Sequence, residues 1–162
     1  MIDALTERLS LFQGFSAGQL EMLRPLFTLY CEPTGAVLFE QGDPVDYLYV
    51  VADGEVAIHY KPDDGPSLVI ARVRAEGVIG WSAAIGNPNY TSSAVCASDC
   101  KVLRLHSAAL RQLYEQDPET GTMLLERLAA LIEARLRSNH PQLMALLEQR
   151  LTLKLDQSVE AE

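Results

Sequence analysis

The chain has 162 residues, of which 48% are hydrophobic and 22% charged, and its formal net charge at pH 7 is −9. This length and composition predict one globular domain and exclude disordered and fibrous proteins, while the acidic balance argues against nucleic acids and anionic membranes as partners. Acids interrupt the N-terminal apolar residues, and no apolar run reaches the roughly 20 residues that span a membrane, so we expect a cytoplasmic protein.

The N-terminal part of the chain has helical patterns. An apolar face at helical spacing predicts a helix over residues 2–11. A second helix is predicted over residues 16–27, because Ser16 and Gln19 have the spacing of a capping box. Pro25 is expected to kink this helix or to end it early.

Between residues 29 and 105 the pattern changes to short strands. Runs rich in Val, Ile, Leu and Tyr alternate with turn signals spaced about ten residues apart, which is typical of an antiparallel sandwich or barrel. The pair Asp53-Gly54 gives the clearest hairpin signal, and residues 62–66 predict a longer hairpin loop. The fold class is therefore α+β, an antiparallel β-roll with N-terminal helices and a long C-terminal helix.

Helical patterns return after the roll. A helix over residues 107–116 is predicted with Ser107 as its cap. Asp117 followed by Pro118 predicts the start of a long helix over residues 118–138. Together these elements make residues 1–138 one domain, and residues 139–162 are a short amphipathic segment followed by an acidic tail.

The long helix carries two neighbouring apolar stripes. Their members are Leu124, Leu128 and Leu131 in one, and Leu125, Ile132 and Leu136 in the other. One stripe can cover the roll, whereas the second needs another surface, so we expect a homodimer through helix 118–138. The alternative is a single broad face buried within one chain.

The remaining chemistry-bearing residues do not form a catalytic or metal site. Cys31, Cys96 and Cys100 are an odd, small set that fits reduced structural thiols, and two of them with dispersed histidines do not make a zinc shell. No acid–base pair or nucleophile lies at a usable spacing, so we do not expect an enzyme.

Several segments in order resemble the cyclic-nucleotide-binding domain of the cyclic-AMP receptor protein type. They are EPTGAVLFEQGDPVDYLYVVADGEVAIHY, GVIGWSAAIG, TSSAV and KVLRL. The resemblance covers roughly residues 10–138 and implies a cassette that holds the cyclic phosphate. In that cassette backbone N–H groups of a short helix point at the anion, a glutamate binds the ribose and an arginine neutralises the phosphate.

The sequence departs from this family pattern at both charged positions. Trp81 follows Gly80 where the family has glutamate, and the arginine position falls on Tyr90, or on Asn89 if the loop slips by one residue. The stretch between Arg74 and Lys101 contains no Lys or Arg that could substitute. Because a charge-assisted hydrogen bond contributes about 1.5–3 kcal/mol, losing the arginine alone should weaken phosphate binding about 10–100-fold.

Two interpretations of this uncharged cassette remain open. The pocket could bind a less anionic or more apolar small molecule, or a cyclic nucleotide such as cAMP or cGMP through atypical contacts. The residues that would line it are Gly80, Trp81, Ser82, Ala83, Ala84, Tyr90, Thr91, Ser92, Ser93 and Arg135. Alternatively, Trp81 fills the cavity and the domain is a ligand-free structural or dimerising scaffold.

The function that we expect is regulatory. Only 22 residues follow His140, too few for the helix-turn-helix domain of transcriptional relatives. The resemblance therefore implies a stand-alone sensory module that signals through its C-terminal helix to an unknown effector protein. The other two expectations are the ligand-free scaffold and the atypical cyclic nucleotide binder.

Overall fold

The computed structural model of the chain describes residues 2–81, 88–134 and 148. The predicted residues Ser82, Ala83, Ala84 and Arg135 lie outside the described residues, as does nearly all of the segment 139–162. The elements, in chain order, are α1 (Ile2–Arg8), a 3-10 turn (Ser10–Phe12), α2 (Ala17–Leu23), a second 3-10 turn (Arg24–Leu26), β1 (Phe27–Glu32), β2 (Val37–Phe39), β3 (Tyr47–Asp53), β4 (Val56–Tyr60), β5 (Leu68–Val73), β6 (Val78–Ile79), β7 (Ser93–Cys96), β8 (Cys100–His106), α3 (Ser107–Gln116) and α4 (residues 118–134).

The strands form two four-stranded antiparallel sheets that face each other. The helix-facing sheet has the order β1-β8-β3-β6, and the second sheet has the order β2-β7-β4-β5. This arrangement confirms the predicted α+β fold with an antiparallel roll.

Two apolar clusters stabilise the roll. The inner cluster lies between the sheets and contains Phe39, Tyr49, Val51, Val56, Ile58, Val73, Ile79, Tyr90, Ala94, Cys96, Cys100 and Val102. The outer cluster joins the helices to the other face of the helix-facing sheet and contains Leu5, Leu9, Leu11, Phe12, Phe15, Leu23, Phe27, Leu48, Val50, Ala52, Val78, Leu103, Leu105, Leu113, Leu124 and Leu128. The central strands are therefore buried on both faces, as their apolar composition requires.

The ends of the helices follow their local sequence. The capping box at the start of α2 is confirmed, since the Ser16 hydroxyl accepts from the Gln19 N–H and the Gln19 side chain accepts from the Ser16 N–H. Pro25 lies in the 3-10 turn after α2, so the helix ends earlier than the predicted residue 27. Asp117 caps α4, because its carboxylate accepts from the backbone N–H and the hydroxyl of Thr120.

The cap predicted for α3 was wrong by one residue. The N-cap is His106, whose Nδ1 accepts from the Ala108 N–H at 3.0 Å, and Ser107 is the first helical residue. An imidazole nitrogen has replaced the expected hydroxyl as the acceptor for the orphan N–H.

The hairpin predicted at Asp53-Gly54 was also wrong. Strand β3 belongs to the helix-facing sheet and β4 to the second sheet, so the chain changes sheets at this turn. Gly54 has φ +92°, and a Cβ there would overlap the Asp99 carbonyl oxygen and lie 2.9 Å from Cys100 Sγ. A glycine is therefore required at position 54, because the backbone there passes close to residues 99 and 100. The loop at residues 62–66 does form the predicted hairpin, between β4 and β5.

Candidate functional site

The uncharged cassette begins at Gly80, directly after the short strand β6. Its φ of +76° is in the left-handed region that favours glycine. A Cβ at this position would lie 3.1 Å from the Tyr47 carbonyl oxygen and 3.2 Å from Cε1 of Tyr90. The backbone at Gly80 therefore passes directly against the tyrosine ring.

Backbone hydrogen bonds fix the segment that carries Tyr90. The Tyr90 N–H donates to the Asp43 carbonyl at 2.9 Å, and its own carbonyl accepts from the Gly42 N–H at 2.9 Å. The amide of Asn89, which is exposed, donates to the Gly42 carbonyl at 2.8 Å. Asn89 therefore serves the loop, and the register directs the Tyr90 side chain into the roll.

Tyr90 occupies the interior of the roll with its polar group satisfied. It is 5% exposed, and its ring stacks on Phe39 with centroids 3.9 Å apart and planes 12° from parallel. Its hydroxyl donates to the Tyr47 carbonyl at 2.7 Å and accepts from the Tyr47 N–H at 3.2 Å. Burial raises the pKa of Tyr90 above its ordinary value, so the residue stays neutral. A neutral, fully bonded tyrosine thus stands where the resemblance places the phosphate-binding arginine.

Trp81 lies on the other side of the helix-facing sheet. Its partly buried indole packs against the outer cluster, alongside the helices. Among the described residues it is Tyr90, rather than Trp81, that belongs to the inner cluster. The indole therefore does not play the cavity-filling part that one sequence interpretation gave it.

The hydroxyl residues that follow Tyr90 differ in how exposed their side chains are. Thr91 is exposed, whereas Ser92 and Ser93 are half-buried. The Ser93 hydroxyl accepts from the Gln41 N–H at 2.8 Å and lines an open polar cleft beside His59. At least one of the predicted hydroxyls is therefore used to hold a neighbouring turn.

The sequence interpretation missed a guanidinium on the inner face of the roll. Arg104 lies on β8, two residues after Val102 of the inner cluster. Its Cζ lies 3.9 Å from the ring centroid of Tyr47 and 4.3 Å from that of Tyr30, and it donates a hydrogen bond to the Tyr30 hydroxyl. The signal that could have found it is an arginine between two leucines in a strand otherwise apolar enough to be buried on both faces.

The cysteines occupy structural positions. Cys96 and Cys100 are buried and Cys31 is exposed. Burial raises the pKa of the Cys96 thiol to about 12, with the neighbouring Cys100 thiol acting in the same direction. Within residues 2–81 and 88–134, no group of three His, Cys, Asp or Glu side chains could hold a metal ion.

One of the two predicted stripes of the long helix covers the roll. Leu124 and Leu128 are buried in the outer cluster, and Leu131 packs against it. Ile132, from the second stripe, also packs against this cluster, while Leu125 lines a groove between α3 and α4 with a volume of about 240 Å³. Part of the second stripe therefore serves the single chain.

Comparison with known proteins matches this roll to one family. Residues 33–117, more than half of the chain, match the cyclic nucleotide-binding domain. The chain belongs to this family. The matched region runs from the turn before β2 to the end of α3, so it contains the cassette, Tyr90 and Arg104.

Similar cyclic nucleotide-binding domains occur alone in solved structures and within regulators. A cyclic nucleotide-binding domain from Methylobacillus flagellatus KT is 28% identical, with a TM-score of 0.76, over 89% of this chain and 81% of that one. The N-terminal domain of a transcriptional regulator from Streptomyces coelicolor A3(2) is 30% identical, with a TM-score of 0.64, over 83% of this chain and 93% of that one. A CRP-like cAMP-activated global transcriptional regulator of Mycobacterium tuberculosis is 26% identical over 79% of this chain. The match covers 57% of that regulator's length.

The part of the chain that the structure describes contains no helix long and apolar enough to cross a membrane.

Proposed function

We propose that this chain is a regulatory domain of the cyclic nucleotide-binding type whose cassette no longer takes a cyclic phosphate. The observation that carries the proposal is the placement of Tyr90, buried in the roll, stacked on Phe39 and hydrogen-bonded to both backbone groups of Tyr47. A cyclic nucleotide entering here would have to displace a side chain that has no unmet hydrogen bond.

The energetic balance favours the closed cassette. An aromatic pair contributes about 0.5–1.5 kcal/mol beyond its burial, and each hydroxyl bond about 0.5–1.5 kcal/mol more. The cassette offers no Lys or Arg in return, because none occurs between Arg74 and Lys101. A molecule that opens this pocket would be less anionic than a cyclic nucleotide. Thr91 and Ser92, which follow Tyr90 directly in the sequence, are the hydroxyl residues that could contact it.

The route by which such a domain acts on a partner is the long helix. Helix α4 is anchored to the roll by Leu124 and Leu128, so a shift in the roll moves the helix. Its described exposed face carries Ala129, Ala130 and Ala134, small residues over which a second helix can approach closely. We expect α4 to contact a second copy of the chain and, through the residues that follow it in the sequence from Arg135, an effector protein.

A second candidate is a dimerising scaffold that binds no small molecule. The complete hydrogen bonding of the Tyr90 hydroxyl favours it, because nothing in that arrangement needs a ligand. The two candidates make the same prediction for cyclic nucleotides and differ for other metabolites.

A thermal-shift screen tests the proposal. Wild type and the double variant Trp81→Glu, Tyr90→Arg are melted with cAMP, cGMP and a panel of neutral metabolites. We expect no shift of the wild-type Tm with either cyclic nucleotide at millimolar concentration. A shift with a neutral compound supports the regulatory domain, and no shift with any compound supports the scaffold. A rise in the wild-type Tm at micromolar cAMP or cGMP contradicts both.

A further inference from the structure

Arg104 is a half-buried cation without a carboxylate partner among the described residues. The described ion pairs join Glu55, in the turn before β4, to Arg72 and Arg74 at the end of β5, and none reaches Arg104. Burying a charge is costly unless it is paired, and this chain has an excess of acids from which a partner could have come. The positive charge of Arg104 is therefore available to a ligand on the inner face of the roll.

Two aromatic rings hold the Arg104 guanidinium. Its Cζ lies over the ring of Tyr47 at 3.9 Å and over that of Tyr30 at 4.3 Å. The Tyr30 hydroxyl accepts a hydrogen bond from it and Tyr49 is its cross-strand neighbour on β3, which leaves others of its five N–H donors for a ligand. A guanidinium that is held between aromatic rings and has N–H donors to spare is suited to recognition of an oxyanion.

His106 supplies a second donor on the same face. It lies two residues after Arg104 on β8, and its ring contacts Tyr47 edge-on with centroids 5.0 Å apart. Because Nδ1 accepts from the Ala108 N–H, the ring proton is on Nε2, which is left as a donor. His106 is exposed, and so is Thr28, the cross-strand neighbour of Arg104 on β1, so a small molecule can reach this end of the roll.

We propose that Arg104 and His106 form an anion site on β8 that takes the terminal phosphate of a phosphate monoester. Two neighbouring donors that both contact the Tyr47 ring, one of them permanently charged, favour a dianion over the singly charged cyclic phosphodiester. This inference goes beyond the proposed function, because the site lies on β8 and outside the cassette. Either can fail while the other stands.

Thermal melting with matched variants tests the site. Wild type, Arg104→Gln and the control Arg111→Gln, an exposed arginine on α3, are titrated with inorganic phosphate, AMP and cAMP. At ten times the Kd, we expect phosphate and AMP each to raise the Tm of wild type and of Arg111→Gln by about 3–6 °C. Arg104→Gln should bind at least about tenfold more weakly, and cAMP should give no shift through this site. Tighter binding of AMP than of phosphate would show that the rest of the nucleotide contributes.

A second variant covers the case in which Arg104→Gln does not fold. His106→Asn keeps an acceptor for the helix cap and removes the Nε2 donor, so we expect it to fold and to bind AMP about threefold to tenfold more weakly. Equal shifts in all variants would mean that phosphate acts as a stabilising salt, which overturns the proposal. It is also overturned if AMP gives no shift in wild type, or if cAMP binds as tightly as AMP.

Discussion

At the scale of single residues, the account depends on how Tyr90 is held. Its hydroxyl bonds to both the N–H and the carbonyl of Tyr47, so the side chain fixes β3 as well as filling the roll. A tyrosine that lined an open ligand pocket would not need both of these bonds. The contribution of these two hydrogen bonds to the free energy of unfolding therefore measures how strongly the closed cassette is stabilised.

Replacing this tyrosine by phenylalanine tests that energy. Tyr90→Phe keeps the stack on Phe39 and removes the hydroxyl, and we expect the free energy of unfolding to fall by about 1–2 kcal/mol. Urea denaturation measures it, with Tyr60→Phe, a tyrosine that is 42% exposed, as the control expected to change little. A Tyr90→Phe variant as stable as the control variant would mean that the hydroxyl bonds are not formed in solution.

The same pair of proteins should differ in alkaline solution. Burial raises the pKa of Tyr90 above the ordinary value of 10.0, so its contribution to stability is complete below pH 10 and is lost as the pH rises through the folded-state pKa. Tyr90→Phe has no such loss. We therefore expect the difference in stability between the two proteins to narrow above about pH 10, and a constant difference would contradict the burial of this hydroxyl.

At this scale the sequence predicts that the cassette carries no charged side chain. The position of Tyr90 relative to Gly80 and the lack of Lys or Arg between Arg74 and Lys101 can both be read from the sequence alone. The stack on Phe39 cannot, because Phe39 lies on β2, far from Tyr90 in the sequence. Arg104 was missed for a similar reason, since its aromatic contacts come from β1 and β3.

At the scale of elements, glycines decide where the chain changes sheets. Gly54 and Gly35 have nearly the same φ, +92° and +91°, but only Gly54 is in close contact with other backbone. Gly35→Ala should cost about 1–2 kcal/mol for the left-handed conformation alone. Gly54→Ala should cost about 1–3 kcal/mol more, because the Asp99 carbonyl must move. Urea denaturation of both variants compares them, and equal losses would show that the crossing is less tightly packed than described.

The hairpin error shows what local signals leave out. A turn dipeptide between two apolar runs predicts that the chain reverses, and it does so at Asp53-Gly54. It does not predict which strands pair, because the partners of β3 are distant in the sequence. They are β8, at the end of the roll, and β6, which follows two intervening strands. The loop at 62–66 carries an equally local signal, yet there the two strands do pair.

At the scale of the whole molecule, we expect association through the exposed face of α4. Ala130→Arg places a long charged side chain on that face and should convert a dimer, at twice the chain mass of 17.8 kDa, into a monomer. Ala108→Arg, at an exposed alanine of α3, is the matched control and should remain dimeric. Light scattering after size-exclusion chromatography measures both, and a wild type that is monomeric at a chain concentration of about 50 μM would reject a stable dimer.

The overall architecture was the easiest part to predict. Turn spacing, helical periods and the Asp117-Pro118 start together indicate helices around an antiparallel roll, because each signal reports a local property that the fold preserves. The division of the apolar residues of α4 between its own roll and another surface was not predictable, since Ile132 packs on the outer cluster of the same chain.

Calorimetric titration of cAMP, at low and at physiological salt, tests the central claim most directly. If Tyr90 has replaced the anion-recognising arginine, the wild-type chain should release no saturable heat up to about 1 mM, a limit of roughly 4 kcal/mol in binding free energy. Micromolar binding that weakens as salt is added would contradict the claim, because it would require a cation at the cyclic phosphate.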